Sequence, residues 1–214
     1  MDLVIAATAL ILLSPVILFI SLVIRLSMGS PALFRQERPG LDGKIFTLYK
    51  FRTMSDAKDP GGNLLPDKDR LTGLGEFLRS FSLDELPQLF NVLTGDMSIV
   101  GPRPLLVEYL GRYLPHHARR HEIKPGLTGW AQIHGRREIK FSERLDMDVW
   151  YIDNFSLWLD IRIIIMTALK VIRREGYQEL PEDGKLIDDV GLTDAYYQAR
   201  QAEKEEQTVK PGGD

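Results

Sequence analysis

With 214 residues, 44% hydrophobic content and a formal net charge of −3, the chain suits one globular domain plus a membrane element, and its charge balance argues against a nucleic-acid partner. The absence of cysteine excludes disulfides, thiolate nucleophiles and zinc-cysteine sites, and agrees with a reducing compartment.

In chain order, the first signal is Leu3 to Ile24, an uncharged run of roughly twenty residues, close to the length of a bilayer-crossing helix. No Lys or Arg precedes it and no small-residue cleavage site follows, which argues against a cleaved secretory signal. Pro15 removes a backbone donor, so a kink is expected near Ser14, whose hydroxyl could serve a freed carbonyl. The residues leave two forms open: a bent spanning helix, or a re-entrant hairpin turning at Ser14 and Pro15. Arg25, Arg35, Arg38 and Lys44 place the following domain on the cytoplasmic side.

Pro31 to Arg38 and Lys44 to Thr53 flank a Pro39-Gly40 and Asp42-Gly43 turn and read as a β-hairpin. Ser55 to Asp69 reads as a surface loop, and Leu74, Phe77, Leu78 and Phe81 recur at helical spacing. Ser82-Leu83-Asp84-Glu85 has the form of a capping box, which would make Glu85 a helix cap; Pro87 allows the alternative that the helix starts there. Either way Asp84 lies near a helix N-terminus, where the local field favours an ionised carboxylate and exposed amides suit phosphate. A helix follows from Gln88 to Leu93 and ends at Gly95-Asp96. Gly101-Pro102-Arg103-Pro104 is a stiff turn presenting Arg103.

Leu105 to His121 reads as helical, and Leu127 to His134 as extended. His116, His117 and His121 lack the intervening glutamate of the helical metalloprotease motif and read as a solvated face. Phe155 to Arg174 is a second apolar helix, either a core helix or an interfacial one with Trp158 at the headgroups. Glu203 to Asp214 is charged, poor in apolar residues and expected to be disordered.

Adjacent carboxylates, arginines on turns and a membrane anchor together suit an anionic phosphate substrate near lipid. Walker and dinucleotide loops are absent. A carboxylate can attack phosphorus, with Mg²⁺ screening the charge.

At these residues the sequence resembles the monotopic phosphoglycosyl transferases, the bacterial sugar transferase family. The resemblance rests on Ser14-Pro15, Phe34-Arg35-Gln36-Glu37-Arg38, Tyr49-Lys50-Phe51-Arg52-Thr53-Met54, Ser82-Leu83-Asp84-Glu85-Leu86-Pro87-Gln88-Leu89, Gly101-Pro102-Arg103-Pro104 and Lys124-Pro125-Gly126-Leu127-Thr128-Gly129-Trp130, in that order. It implies a ping-pong reaction. The Asp84 carboxylate attacks a UDP-sugar, releases UMP and holds a phosphosugar that passes to polyprenyl (undecaprenyl) phosphate. By resemblance Asp84 is nucleophile and Mg²⁺ ligand, and Glu85 assists. Arg79, Arg103 and Arg136 bind phosphate or substrate, joined by Lys50 and Arg52. Arg137 departs from the Asn or Asp common there in the family. The resemblance also favours the re-entrant form, a helix-break-helix bent at Ser14 and Pro15.

The expected fold is α+β and mostly helical, with a small β-hairpin or sheet, the N-terminal re-entrant membrane helix and interfacial amphipathic helices. Residues 1–28 would be the membrane element, 29–190 a catalytic domain on the cytoplasmic face of the cell inner membrane, and 191–214 a C-terminal helix and tail. Oligomeric state stays open, a homodimer included. The competing readings are a non-catalytic membrane-anchored scaffold and a phosphotransferase that binds donor and acceptor together.

Overall fold

The computed structural model describes residues 1–134, 140–173 and 188–193. Its elements run in the order α1 (Asp2–Met28), β1 (Leu33–Pro39), β2 (Ile45–Phe51), α2 (Asp67–Arg70), α3 (Gly73–Ser80), α4 (Gln88–Thr94), β3 (Ser98–Val100), α5 (Pro115–Ala118), β4 (Gly126–Thr128), α6 (Trp130–His134), α7 (Phe141–Asp153) and α8 (Leu157–Ile172). Helices predominate over two small sheets, an α+β arrangement as expected.

α1 runs through Pro15 as one helix. Pro15 cannot donate to the carbonyl of Ile11 four residues back, and the Ser14 hydroxyl donates to that oxygen at 2.8 Å instead. Where the resemblance implies a helix-break-helix, the lost bond is thus replaced locally and the helical backbone is not interrupted.

A stripe at helical spacing, Ala6, Leu10, Leu13, Ile17, Ile20, Ile24 and Met28, packs against the domain along the whole length of α1. Its N-terminal half meets Leu89, Val92 and Met97, and its C-terminal half meets Phe51 and Leu78. Both ends are fastened to the same domain. Ser98 Oγ donates to Asp2 Oδ2 at 2.7 Å, and the Arg52 guanidinium donates to the carbonyl of Met28. The other face of α1 is exposed and apolar, with Val4, Ile11, Leu12, Leu18, Phe19 and Leu26 each well over half exposed.

β1 and β2 form the antiparallel hairpin, in register from Leu33 opposite Phe51 to Pro39 opposite Ile45. Asn91, fully buried on α4, ties β2 down. Its Oδ1 accepts from Tyr49 N at 3.1 Å and its Nδ2 donates to Thr47 O at 2.7 Å. The strand that carries Lys50 is therefore held against the helix that follows Asp84.

β3 and β4 pair in parallel, Ser98 with Gly126 and Val100 with Thr128. Gly126 is required there, since a Cβ would lie 2.1 Å from Gly101 N. The extended reading of Leu127 to His134 holds only at its start, because the chain turns into α6 from Trp130.

Leu105 to His121 is also not one helix. A 3₁₀ turn at Val107–Arg112, the short α5 and a second 3₁₀ turn at Arg119–His121 replace it, separated at Leu114-Pro115, where proline disfavours helix for the preceding residue. α8 buries Asp160 and Ile163, while Leu157, Trp158, Ile165, Leu169 and Ile172 are roughly half exposed or more. It is neither wholly core nor wholly surface.

Candidate active site

The 3₁₀ turn Leu83–Glu85 between α3 and α4 carries the acidic pair. It is set by Ser82, which takes the left-handed conformation (φ 54°, ψ 22°), unusual outside glycine. That geometry rules out the capping box. The Ser82 hydroxyl caps nothing; Glu85 N donates to the Ser82 carbonyl at 3.2 Å, and the Glu85 side chain points elsewhere. Proline at position 87 then precedes α4, as the alternative start allows.

Glu85 Oε1 accepts from Lys50 Nζ and from Arg103 Nη2, each at 2.6 Å. Burial alone would raise the Glu85 carboxyl, but Arg103 and then Lys50 outweigh it and hold the group down at about 2. Lys50 is lowered from its ordinary value, chiefly by burial and then by Arg103, with Glu85 opposing. Glu85 is therefore a fixed anion between two cations.

Asp84 is different. Its residue is 9% exposed, and its carboxylate makes no direct hydrogen bond or ion pair among the described residues. Burial, and then the charge of Glu85, raise it to about 6, against the opposing pull of Lys50, Arg103 and Arg79. Desolvation thus overrides the field expected at a helix N-terminus, yet near pH 7 most of the group remains ionised. It is a desolvated anion with unused oxygens among three cations.

Arg79 reaches this cluster from the last turn of α3, with Nε donating to Thr53 Oγ1 at 3.1 Å. Thr53 is itself locked. Thr72 Oγ1 donates to its carbonyl at 3.2 Å, and α3 presses so closely on it that a Cβ at Gly75 would lie 1.9 Å from Thr53 O. Glycine at 75 thus brings α3, and with it Arg79, up to the end of β2.

Five of the expected residues, Asp84, Glu85, Lys50, Arg79 and Arg103, come together. Arg52 does not join them. It serves the last carbonyl of α1, the carbonyl of Pro31 at 3.3 Å and Asp56 at 3.6 Å, so it fixes the anchor to the hairpin. Arg136 lies outside the described residues.

The sequence reading missed the support behind Arg103. Arg120 is only 3% exposed; its guanidinium donates to the Arg103 carbonyl at 2.6 Å and to Tyr113 Oη at 2.9 Å, and pairs with Asp148 of α7 at 2.8 Å. Burial raises Asp148 to about 6, with Arg120 opposing. Of the three histidines read as a solvated face, only His116 is exposed. His117 is 5% exposed beside Asp146 of α7, and His121 Nδ1 lies 3.3 Å from Gly40 O. Phe141, Leu145 and Val149, buried at a spacing of four, were the signal that could have found α7.

Such a site, a desolvated carboxylate ringed by cations on a domain edged with exposed apolar helices, suits anionic substrates near lipid. Residues 1–174 match the bacterial sugar transferase family, and the chain belongs to it. The sugar transferase EpsL of Bacillus subtilis is 58% identical over 166 residues, covering 78% of this chain and 82% of that protein. A UDP-glucose:undecaprenyl-phosphate glucose-1-phosphate transferase of Xanthomonas campestris is 44% identical over 182 residues, 80% of this chain and 38% of the relative. The undecaprenyl-phosphate galactose phosphotransferase of Salmonella typhimurium is 40% identical over 192 residues, 82% of this chain and 40% of the relative. The chain thus spans about two-fifths of the length of these last two.

Proposed function

We propose that the chain transfers a sugar 1-phosphate from a UDP-sugar to polyprenyl phosphate, undecaprenyl phosphate being the acceptor named for its relatives, with Asp84 as covalent nucleophile. The observation that carries this is the contrast within the pair: Glu85 is neutralised by Lys50 and Arg103, while Asp84 stays desolvated and has no direct partner among the described residues. A weakly solvated carboxylate is a competent nucleophile towards phosphorus. An oxygen of Asp84 attacks the β-phosphorus, the bond to the bridging oxygen breaks, and UMP leaves with that electron pair. A phosphate oxygen of the acceptor then attacks the same phosphorus, and Asp84 departs as a carboxylate.

Arg79 and Arg103 suit the non-bridging oxygens, since a guanidinium fork can hold phosphate bidentately. The free oxygens of Asp84 also fit Mg²⁺, which takes one or two carboxylates and completes its shell with phosphate oxygens and water. When bound, that ion would screen the negative charge of the diphosphate.

α1 supports a monotopic membrane placement. A helix packed by one stripe along its full length, with both ends on one domain, suits a monotopic position in which its exposed apolar face enters a single leaflet. Arg25, Arg35, Arg38 and Lys44 favour the cytoplasmic face of the inner membrane. Both termini of α1 would lie on that face, the relation expected of a re-entrant element.

The test is UMP release from a panel of UDP-sugars with Mg²⁺ in undecaprenyl-phosphate vesicles. At least one donor should turn over in the parent chain and none in Asp84→Asn. Turnover by Asp84→Asn would exclude the nucleophile, and no turnover of any donor would favour a scaffold.

A further inference from the structure

At the junction of α5 and α7, two neighbouring imidazoles converge on one carboxylate oxygen. Asp146 Oδ1 lies 3.0 Å from His117 Nε2 and 3.5 Å from His116 Nε2. All three donor atoms lie within 4.8 Å of one another. In a tetrahedral zinc site with bonds of about 2.0–2.1 Å, neighbouring donors stand about 3.4 Å apart. The two distances to Asp146 bracket that separation, so an ion could be accommodated by small side-chain rotations.

We propose that His116, His117 and Asp146 form a binding site for a borderline divalent cation of the Zn²⁺ or Co²⁺ type. The donor set selects the ion. Imidazole nitrogens with a single carboxylate suit Zn²⁺ and Co²⁺, whereas Mg²⁺ prefers an all-oxygen shell. Three protein donors leave a fourth position for water. Access exists, because the side chains of His116 and Asp146 are 57% and 58% exposed. The backbones that carry the ligands are held in place beforehand: two residues beyond Asp146 the buried Asp148 grips Arg120, and one turn further along α7 Asp153 pairs with Arg119 at 2.6 Å.

Unlike the proposed Mg²⁺ position at Asp84, this site would be structural. A bound ion would pin α5 to α7, the two elements flanking the Arg120 support of Arg103.

The experiment uses the full chain in lipid nanodiscs, stripped with a chelator and titrated with Co²⁺ or Zn²⁺ alone. The site predicts one tightly held equivalent, visible absorption characteristic of tetrahedral Co²⁺, and a higher thermal midpoint with Zn²⁺. His116→Ala and Asp146→Ala, both at half-exposed positions and each checked for folding by circular dichroism, should each weaken binding about tenfold or more. Asp84→Asn should leave it unchanged. Absence of stoichiometric binding, or binding that survives both ligand variants, would overturn the proposal and leave the three residues as an ion pair. Loss of binding in Asp84→Asn would overturn it too, by placing the ion at the acidic pair.

Discussion

Two buried clusters of carboxylates and cations meet at Arg103, one on its side chain and one on its carbonyl, and they are built to opposite ends. Behind the carbonyl, Arg120 pairs with Asp148 and its guanidinium also braces Tyr113 and the turn. On the other side, Glu85 uses Lys50 and Arg103, and Asp84 receives cationic field without direct contact among the described residues. The closed cluster stabilises structure; the open one keeps a charged group desolvated for chemistry. What separates them is whether each carboxylate has a partner, not how deeply it is buried.

The largest effect should come from the open cluster. Asp84→Asn should lower UMP release by about three orders of magnitude or more, as expected when a nucleophile is removed. The same change should stabilise the fold. The folded carboxyl lies near 6, above its ordinary 3.8, so the folded state holds the proton more tightly, and the group costs stability as pH rises through that interval. Removing it should recover up to about 3 kcal/mol at neutral pH, seen as a higher thermal midpoint. A lower midpoint would mean that Asp84 belongs to the structural class.

Arg120→Met tests the closed cluster. It removes the ion-pair partner of the buried Asp148, leaving only the field of Arg144, and should cost about 3 kcal/mol, measured by denaturant unfolding, whereas Arg120→Met with Asp148→Leu should recover most of that loss. Turnover should stay low in the double variant because the Arg103 carbonyl still lacks its donor. Recovery of both would reduce Arg120 to a packing role.

Glu85→Gln leaves Lys50 and Arg103 without their shared anion and should cost about a hundredfold in turnover, read as UMP release. The pH profile should separate the pair. Turnover should fall about tenfold per unit below pH 6 as Asp84 protonates, while Glu85, held near 2, stays charged throughout that range. The smallest effect is expected of Thr53→Val, which removes the acceptor that positions Arg79 and should lower turnover about threefold to tenfold.

Short-range patterns carried much of this fold in the sequence. The turn between β1 and β2, the spacing of Leu74, Phe77 and Leu78, and Gly95 closing α4 in a left-handed conformation all lie where the residues place them. The charge ring around Asp84 was legible through the resemblance, residue by residue. What escaped depends on long-range pairing. Glu85 looked like a cap because Ser-x-x-Glu is a local pattern, and only the approach of Lys50, 35 residues away, assigns its side chain. Arg120 sat in a run of basic and histidine residues that reads as surface, since nothing local reveals that Asp148 arrives across α7. Arg52 looked equivalent to Lys50, but its neighbour in space is the end of α1.

Intact-protein mass spectrometry after mixing with a turned-over UDP-sugar, Mg²⁺ and no acceptor tests the central claim most directly. The account predicts an added mass of one sugar phosphate on the parent chain, absent from Asp84→Asn and discharged when undecaprenyl phosphate is supplied. A chain that releases UMP only with acceptor present and never carries that mass would contradict it, and would favour donor and acceptor bound together.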